Sequence, residues 1–136
     1  MGTEGTEAGI SRGVVLDAGG LIALERANEE VAALIEGAAR LQATVVIPAT
    51  ALAQVWRGGS RSAHLTRVIA HAQTDPLDEA RAKEVGQRLG DREKDDIADA
   101  HVVCCALERG VVLVTSDPDD MKGLTEPGER LTVVAI

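Results

Sequence analysis

The chain has no Tyr and no Phe, and Trp56 is its only aromatic residue apart from three histidines. Proteins that hold single-stranded nucleic acid by stacking need several exposed rings, so that class is nearly excluded. Basic charge is also scarce: 14 Lys plus Arg stand against 22 Asp plus Glu, a net charge of −8. Such a balance argues against a long electrostatic footprint on nucleic acid, but not against an enzyme whose cations are bound metal ions. The only cysteines, Cys104 and Cys105, are adjacent and cannot join each other without strain. They are expected to be reduced core residues of a cytoplasmic protein. No apolar run reaches the roughly 18 residues of a membrane span, and residues 1–12 are polar, Gly-rich and acidic, with no hydrophobic centre for a signal peptide.

What is present is aliphatic. Of the 136 residues 45% are hydrophobic, so the core must be Ala, Val, Leu and Ile. A chain of this length buries roughly two-thirds of its extended surface without disulfides. Residues 1–12 are expected to be a flexible tail and 13–136 one domain. Short buried strands are expected at 13–16 (GVVL), 43–47 (ATVVI), 111–114 (VVLV) and 131–136 (LTVVAI), with a weaker one at 73–77 before Asp78. Between them lie helical patterns: two segments interrupted near Asn28, one from Thr50 as cap to Arg57, one over 60–72 and one over 78–90. His64 and His71 share a face of the fourth, but a metal pair would normally be three or four apart, so they are expected to face solvent or the edge of the core. Alternating strands and helices imply a three-layer α/β/α domain with a central, mostly parallel sheet of four to five strands.

The most informative stretch is 94–121, KDDIADAHVVCCALERGVVLVTSDPDDM. Asp99, Val102, Val103, Ala106 and Leu107 follow helical spacing, so one carboxylate heads an apolar stripe. Asp96 is positioned to cap this helix, with Asp99 in its first turn, and Gly110 supplies the stop. His101 lies about 200° round the helix from Asp99 and is expected to be peripheral. The strand that follows ends in Thr115, Ser116, Asp117, Asp119 and Asp120, as the first strand ends in Asp17. Asp17 by itself reads equally well as a helix cap.

In an open parallel sheet the ligand crevice lies beyond the carboxyl ends of the strands. Asp17, Asp99, Asp117 and one or both of Asp119 and Asp120 would converge there. Two carboxylates about 4 Å apart repel by about 4 kcal/mol at an effective dielectric of 20, so a cluster must take up protons or a cation. With no His or Cys in the set, a hard oxygen-liganded ion, Mg²⁺ or Mn²⁺, suits it better than zinc. Such an ion activates water and stabilises phosphate charge, the chemistry of phosphodiester hydrolysis.

The segments VVLDAGGLIAL, IPATALAQVWRGG, DIADAHVVCCALERG and VVLVTSDPDDM, in this order, resemble PIN-domain proteins, specifically the VapC-like ribonuclease toxins of type II toxin–antitoxin pairs. The resemblance covers about residues 13–136 and implies a PIN-like domain acting as an Mg²⁺- or Mn²⁺-dependent endoribonuclease, often a homodimer, inhibited by a cognate antitoxin. It implies that Asp17, Asp99, Asp117 and Asp120 are the metal-binding and catalytic acids, Asp120 matching better than Asp119 because it precedes the apolar Met121. Thr115 and Ser116 would be the supporting hydroxyls beside them. The family's second acid falls at Gln54, which is neutral. Its amide is still able to ligate or to hold a water, and Glu25 is a weaker substitute. Asp96 and Asp119 would support the site, and Arg57 and Arg61 would position RNA phosphates. The Gln54 substitution and the −8 charge also support an alternative, a catalytically weak PIN-like module that acts through a protein or RNA partner. A receiver-like switch built on Asp17, Thr115 and Lys122 lacks the acidic pair such proteins carry after the first strand.

Overall fold

The computed structural model describes residues 9–136; the rest of the expected tail, 1–8, lies outside the described residues. Aliphatic runs bounded by polar turns form five strands: β1 (Val14–Leu16), β2 (Val45–Pro48), β3 (Gln73–Asp75), β4 (Val112–Thr115) and β5 (Val133–Ala135). All are paired in parallel, in the order β3-β2-β1-β4-β5. The three inner strands are buried at every residue, as uninterrupted apolar runs should be when helices cover both faces of a sheet. The expected three-layer α/β/α arrangement is therefore present. Ile10, N-terminal to the expected domain boundary, is 2% exposed and packs beside Gly37.

Helices α1 (Ala18–Glu25) and α2 (Glu29–Arg40) follow β1, α3 (Ala49–Val55) follows β2, and a 3₁₀ turn (Gly59–Ser62) leads into α4 (Ala63–Ile69). Helices α5 (Glu79–Arg92) and α6 (Ile97–Arg109) precede β4, and α7 (Pro118–Lys122) follows it. Four helices begin as their sequences suggest: Asp17, Asn28, Asp78 and Asp96 each accept a hydrogen bond from the backbone N–H three residues on. Each such cap contributes on the order of 1 kcal/mol. Gly110 ends α6 in the left-handed conformation, φ 64°, which only glycine adopts at little cost.

Three local expectations are corrected. Thr50 is not a cap: Pro48 occupies that position without a side-chain bond, and α3 stops at Val55 rather than Arg57. The segment 60–72 is a 3₁₀ turn plus a short helix, because the Ser62 hydroxyl accepts from the N–H groups of Arg57 and Gly58 and ties down the preceding loop. His101 is fully buried. His64 and His71 are exposed, as expected.

Helix α6 organises the packing. It lies against β1, β2 and β4 and is flanked by α3, α5 and α7, so Ala98 and every residue from 100 to 106 are buried. Cys104 and Cys105 are free and buried there, and burial pushes the Cys105 thiol up to about 11, leaving it protonated and unreactive. Trp56 is 40% exposed, so the lone indole is not a core residue. Among the described residues no helix is long and apolar enough to cross a membrane.

Candidate active site at the sheet switch point

Strand order dictates where a crevice must open. From β1 the chain adds β2 and β3 on one side, then returns to place β4 and β5 on the other, so the connections diverge between β1 and β4. Ligands bind at the carboxyl ends of the strands flanking such a point. Asp17 follows β1 there, and Asp117 follows β4.

Asp17 is 3% exposed and is both cap and site residue. Its Oδ1 accepts from the Gly20 N–H at 2.7 Å, and its Oδ2 accepts a short hydrogen bond from the Thr115 hydroxyl. Thr115 Oγ1 in turn accepts from the Asp117 N–H at 2.9 Å, so one hydroxyl fixes the two aspartate-bearing loops to each other. Ser116 donates to Asp117 Oδ2 at 3.4 Å. Gly19 makes this closeness possible. A Cβ at that position would stand 2.2 Å from Ser116 Oγ and 3.0 Å from Ser116 Cβ.

Asp99 enters from the first turn of α6. Its N–H is satisfied by Asp96 Oδ1 at 2.9 Å, but its carboxylate accepts no hydrogen bond from a described residue. Burial pushes its pKa up to about 6, and the charges of Asp96, Asp17, Asp120 and Asp117 push the same way. Asp17 is also raised, first by its burial and further by Asp117, against the lowering effect of Thr115 and Gly20. These shifts are the electrostatic signature of acids facing one another across a shared space. Asp99 lines a cleft of about 260 Å³ together with Asp95, Asp96, Asp119, Asp120 and, as its one cation, Lys94. Met121 is buried at 1%, which anchors α7 with Asp120 beside the cleft.

The structure thus joins Asp17 and Asp117 through Thr115, places Asp99 and Asp120 with Asp96 and Asp119 on one cleft, and leaves Asp99 within electrostatic reach of Asp17, Asp117 and Asp120. No hydrogen bond or ion pair joins Gln54, Glu25, Arg57 or Arg61 to these acids among the described residues. Gln54 is exposed in the last turn of α3, and its side chain bonds no described residue. Glu25 ends α1, about 12 Å along that helix from Asp17 at 1.5 Å per residue. The Arg57 guanidinium turns back onto its own chain, donating to the Trp56 carbonyl at 2.7 Å and the Gln54 carbonyl at 3.1 Å. Arg61 is exposed on the 3₁₀ turn.

The donor set is all oxygen, which suits a hard divalent ion. Among the described residues, however, no three His, Cys, Asp or Glu side chains stand close enough to grip an ion directly. The arrangement therefore fits a hydrated ion held through one or two carboxylates, the usual mode for Mg²⁺. Unrelieved carboxylate repulsion at Asp99 is the observation that makes a cation fit here.

A second polar network was not legible beforehand. His101 Nε2 pairs with Asp75 Oδ2 at 2.8 Å, and its Nδ1 pairs with Thr50 Oγ1 at 2.8 Å. Burial would raise the Asp75 carboxyl, but hydrogen bonds from Arg81, His101 and Arg109 outweigh it and hold the group below its usual value. An ionised Asp75 only accepts, so Nε2–H donates to it. Arg81 joins Asp75 to Glu84 and Glu108. The network ties α6, which carries Asp99, to β3, α3 and α5. A lone histidine among Ala, Val and Cys was the available signal, since a buried ring needs polar partners. The partners, though, come from 26 and 51 residues away.

An α/β domain with acidic side chains at the topological switch point of a parallel sheet belongs to the class of folds whose ligand crevice lies at that sheet edge. The chain is a member of the PIN domain family, whose model matches residues 14–125, and members of that family are in general nucleases. No curated protein matches the chain. Among solved structures, it is similar to a chain in the crystal structure of VapBC2 from Rickettsia felis bound to a DNA fragment from their promoter. The TM-score is 0.67 and the identity 15%, over 90% of this chain and 98% of that one. It is also similar to a chain in the structure of FitAB bound to the IR36 DNA fragment, with a TM-score of 0.61 and 16% identity over 90% of this chain and 94% of that one. The VapC-like resemblance drawn from the four motifs agrees with both.

Proposed function

We propose that the chain is a divalent-metal-dependent endoribonuclease, the toxin of a toxin–antitoxin pair, held inactive by a cognate antitoxin that covers the acidic crevice. The single observation that carries this reading is Asp99, half-buried on a cleft with Asp96, Asp119 and Asp120, its pKa raised to about 6 by its burial and by the carboxylates of its own helix cap and of the segments after β1 and β4. Such a cluster is a poor structural device and a good cation receptor. Asp17, Asp99, Asp117 and Asp120 would hold Mg²⁺ or Mn²⁺, partly through water. When bound, the ion supplies a Lewis acid for the phosphodiester and lowers the pKa of water at the site. Thr115 keeps Asp17 and the Asp117 backbone in fixed relation, and Asp96 fixes the start of α6 and so the height of Asp99. The antitoxin partner is supported by the fold likeness to VapBC2 and FitAB. Homodimer formation and a cytoplasmic location belong to the same reading.

The test is cleavage of single-stranded RNA by purified protein with Mn²⁺ or Mg²⁺, against Asp17→Asn and Asp99→Asn. Activity retained in both variants would remove the assignment. The neutral, exposed Gln54 favours a second reading, a PIN-like module of weak catalytic power that acts by binding a partner. Calorimetry separates the two, since absence of metal binding at millimolar concentration supports the module.

A further inference from the structure

We propose that the groove bordered by Gly19 and Ser116 is a single-stranded RNA subsite, with Arg26 gripping a phosphate that flanks the scissile one. This rests on the ribonuclease reading above and extends it to the path of the substrate. The groove has a volume of about 410 Å³ and is lined by Gly19, Ile22, Arg26, Asn28, Ser116 and Ile136 among others. It begins at the acids: Gly19 stands against Ser116 Oγ and within 3.3 Å of Asp17 Oδ1, measured from where a Cβ would be. It ends at Arg26, the C-cap of α1.

Arg26 is exposed, and its guanidinium makes no hydrogen bond or ion pair with a described residue. Arg57 is engaged on backbone carbonyls, Arg81 and Arg109 on Asp75, and Arg88 on Glu129; Arg40, Arg61 and Arg67 bond no described residue either, but only Arg26 lines this groove. In a protein of net charge −8, a groove whose one charged side chain is a guanidinium without a partner among the described residues offers a contact to phosphate. The Arg26 backbone is also fixed. Ala27 sits at φ 57°, the Asn28 N–H bonds the Ala23 carbonyl at 2.9 Å, and the Asn28 side chain caps α2 through the Val31 N–H at 3.0 Å. At 1.5 Å per residue along α1, Arg26 lies about 13 Å from Asp17, within the reach of a short stretch of extended strand. Ile22, 38% exposed, and Ile136 offer aliphatic walls to bases or sugars. With no ring to stack on, this subsite would hold the backbone and discriminate little between bases.

The experiment is steady-state cleavage of a short single-stranded RNA by wild-type, Arg26→Glu, Arg26→Lys and Arg40→Glu proteins across a salt series. Arg40 lies at the end of α2, lines neither cleft, and controls for net charge. Arg26→Glu is expected to raise KM on the order of tenfold with kcat nearly unchanged. It should also reduce the slope of log KM against log salt by about 0.7, the loss of one phosphate contact on a single strand. Arg26→Lys should recover most of the affinity, and all variants should melt with the wild type. If wild-type protein cleaves no RNA, the ribonuclease reading itself fails. If wild-type protein cleaves but Arg26→Glu keeps its KM and slope, or changes them no more than Arg40→Glu does, the subsite alone is refuted. A variant that cleaves normally but escapes inhibition by an antitoxin would reassign the groove to protein docking and likewise overturn the proposal.

Discussion

Replacing Asp99 with Asn should make the metal-free protein more stable. An acid whose folded pKa exceeds its unfolded value weakens the fold when ionised. For Asp99 the values are about 6 and 3.8, so the penalty is absent below pH 3.8, grows as the pH rises to 6, and is complete above that. The difference corresponds to about 3 kcal/mol at 1.36 kcal/mol per unit. Solvent at this partly exposed group screens it to about 1–2 kcal/mol. Asn keeps the shape and removes the charge, while the helix cap from Asp96 to the Asp99 N–H is unaffected. For a domain of this length the gain is about 3–8 °C in melting temperature, read by calorimetry in chelator at pH 7 and shrinking toward zero near pH 4. With Mn²⁺ the order should narrow or reverse, because a bound ion stabilises the wild type by RT ln(1 + [L]/Kd) and the variant less. A metal-free Asp99→Asn protein that melts at or below the wild type at pH 7, or whose difference does not vary between pH 4 and 7, would refute the electrostatic account.

Other outcomes follow from the same geometry. Gln54→Glu adds a carboxylate at an exposed position and should lower the Mn²⁺ concentration needed for half-maximal thermal stabilisation several-fold, with a stability change within about 0.5 kcal/mol in chelator; an unchanged metal titration would show that Gln54 does not face the site. Gly19→Ala brings a Cβ against Ser116 and should cost about 1–3 kcal/mol, most of it recovered in the Gly19→Ala, Ser116→Gly double variant by denaturant titration. Additive effects of the two changes would disprove the contact. His101→Leu strands the Thr50 hydroxyl and removes one partner of Asp75, an expected loss of about 1–3 kcal/mol; adding Thr50→Val should restore part of it, and failure to do so would mean that the hydroxyl is otherwise satisfied.

Local chemistry alone determined a good deal here. Strand positions were legible because β1, β2 and β4 are continuous aliphatic runs, and helix starts because Asp17, Asn28, Asp78 and Asp96 are short acceptors that satisfy the first free N–H groups. The aspartates at the ends of β1 and β4 could be nominated because connections in a parallel sheet leave strand ends at one edge. Tertiary structure decided what depends on distant partners. It turned Thr50 from a supposed cap into a ligand of His101, buried that histidine against Asp75, folded Arg57 onto its own backbone, and left Arg26 free beside a groove. It also raised the pKa of Asp99, first by burying it and then, beyond its local neighbour Asp96, by setting it within reach of the charges of residues 17, 117 and 120. Hydrogen bonds and Coulomb forces act through space, and only the packed sheet defines which groups are near enough to exert them.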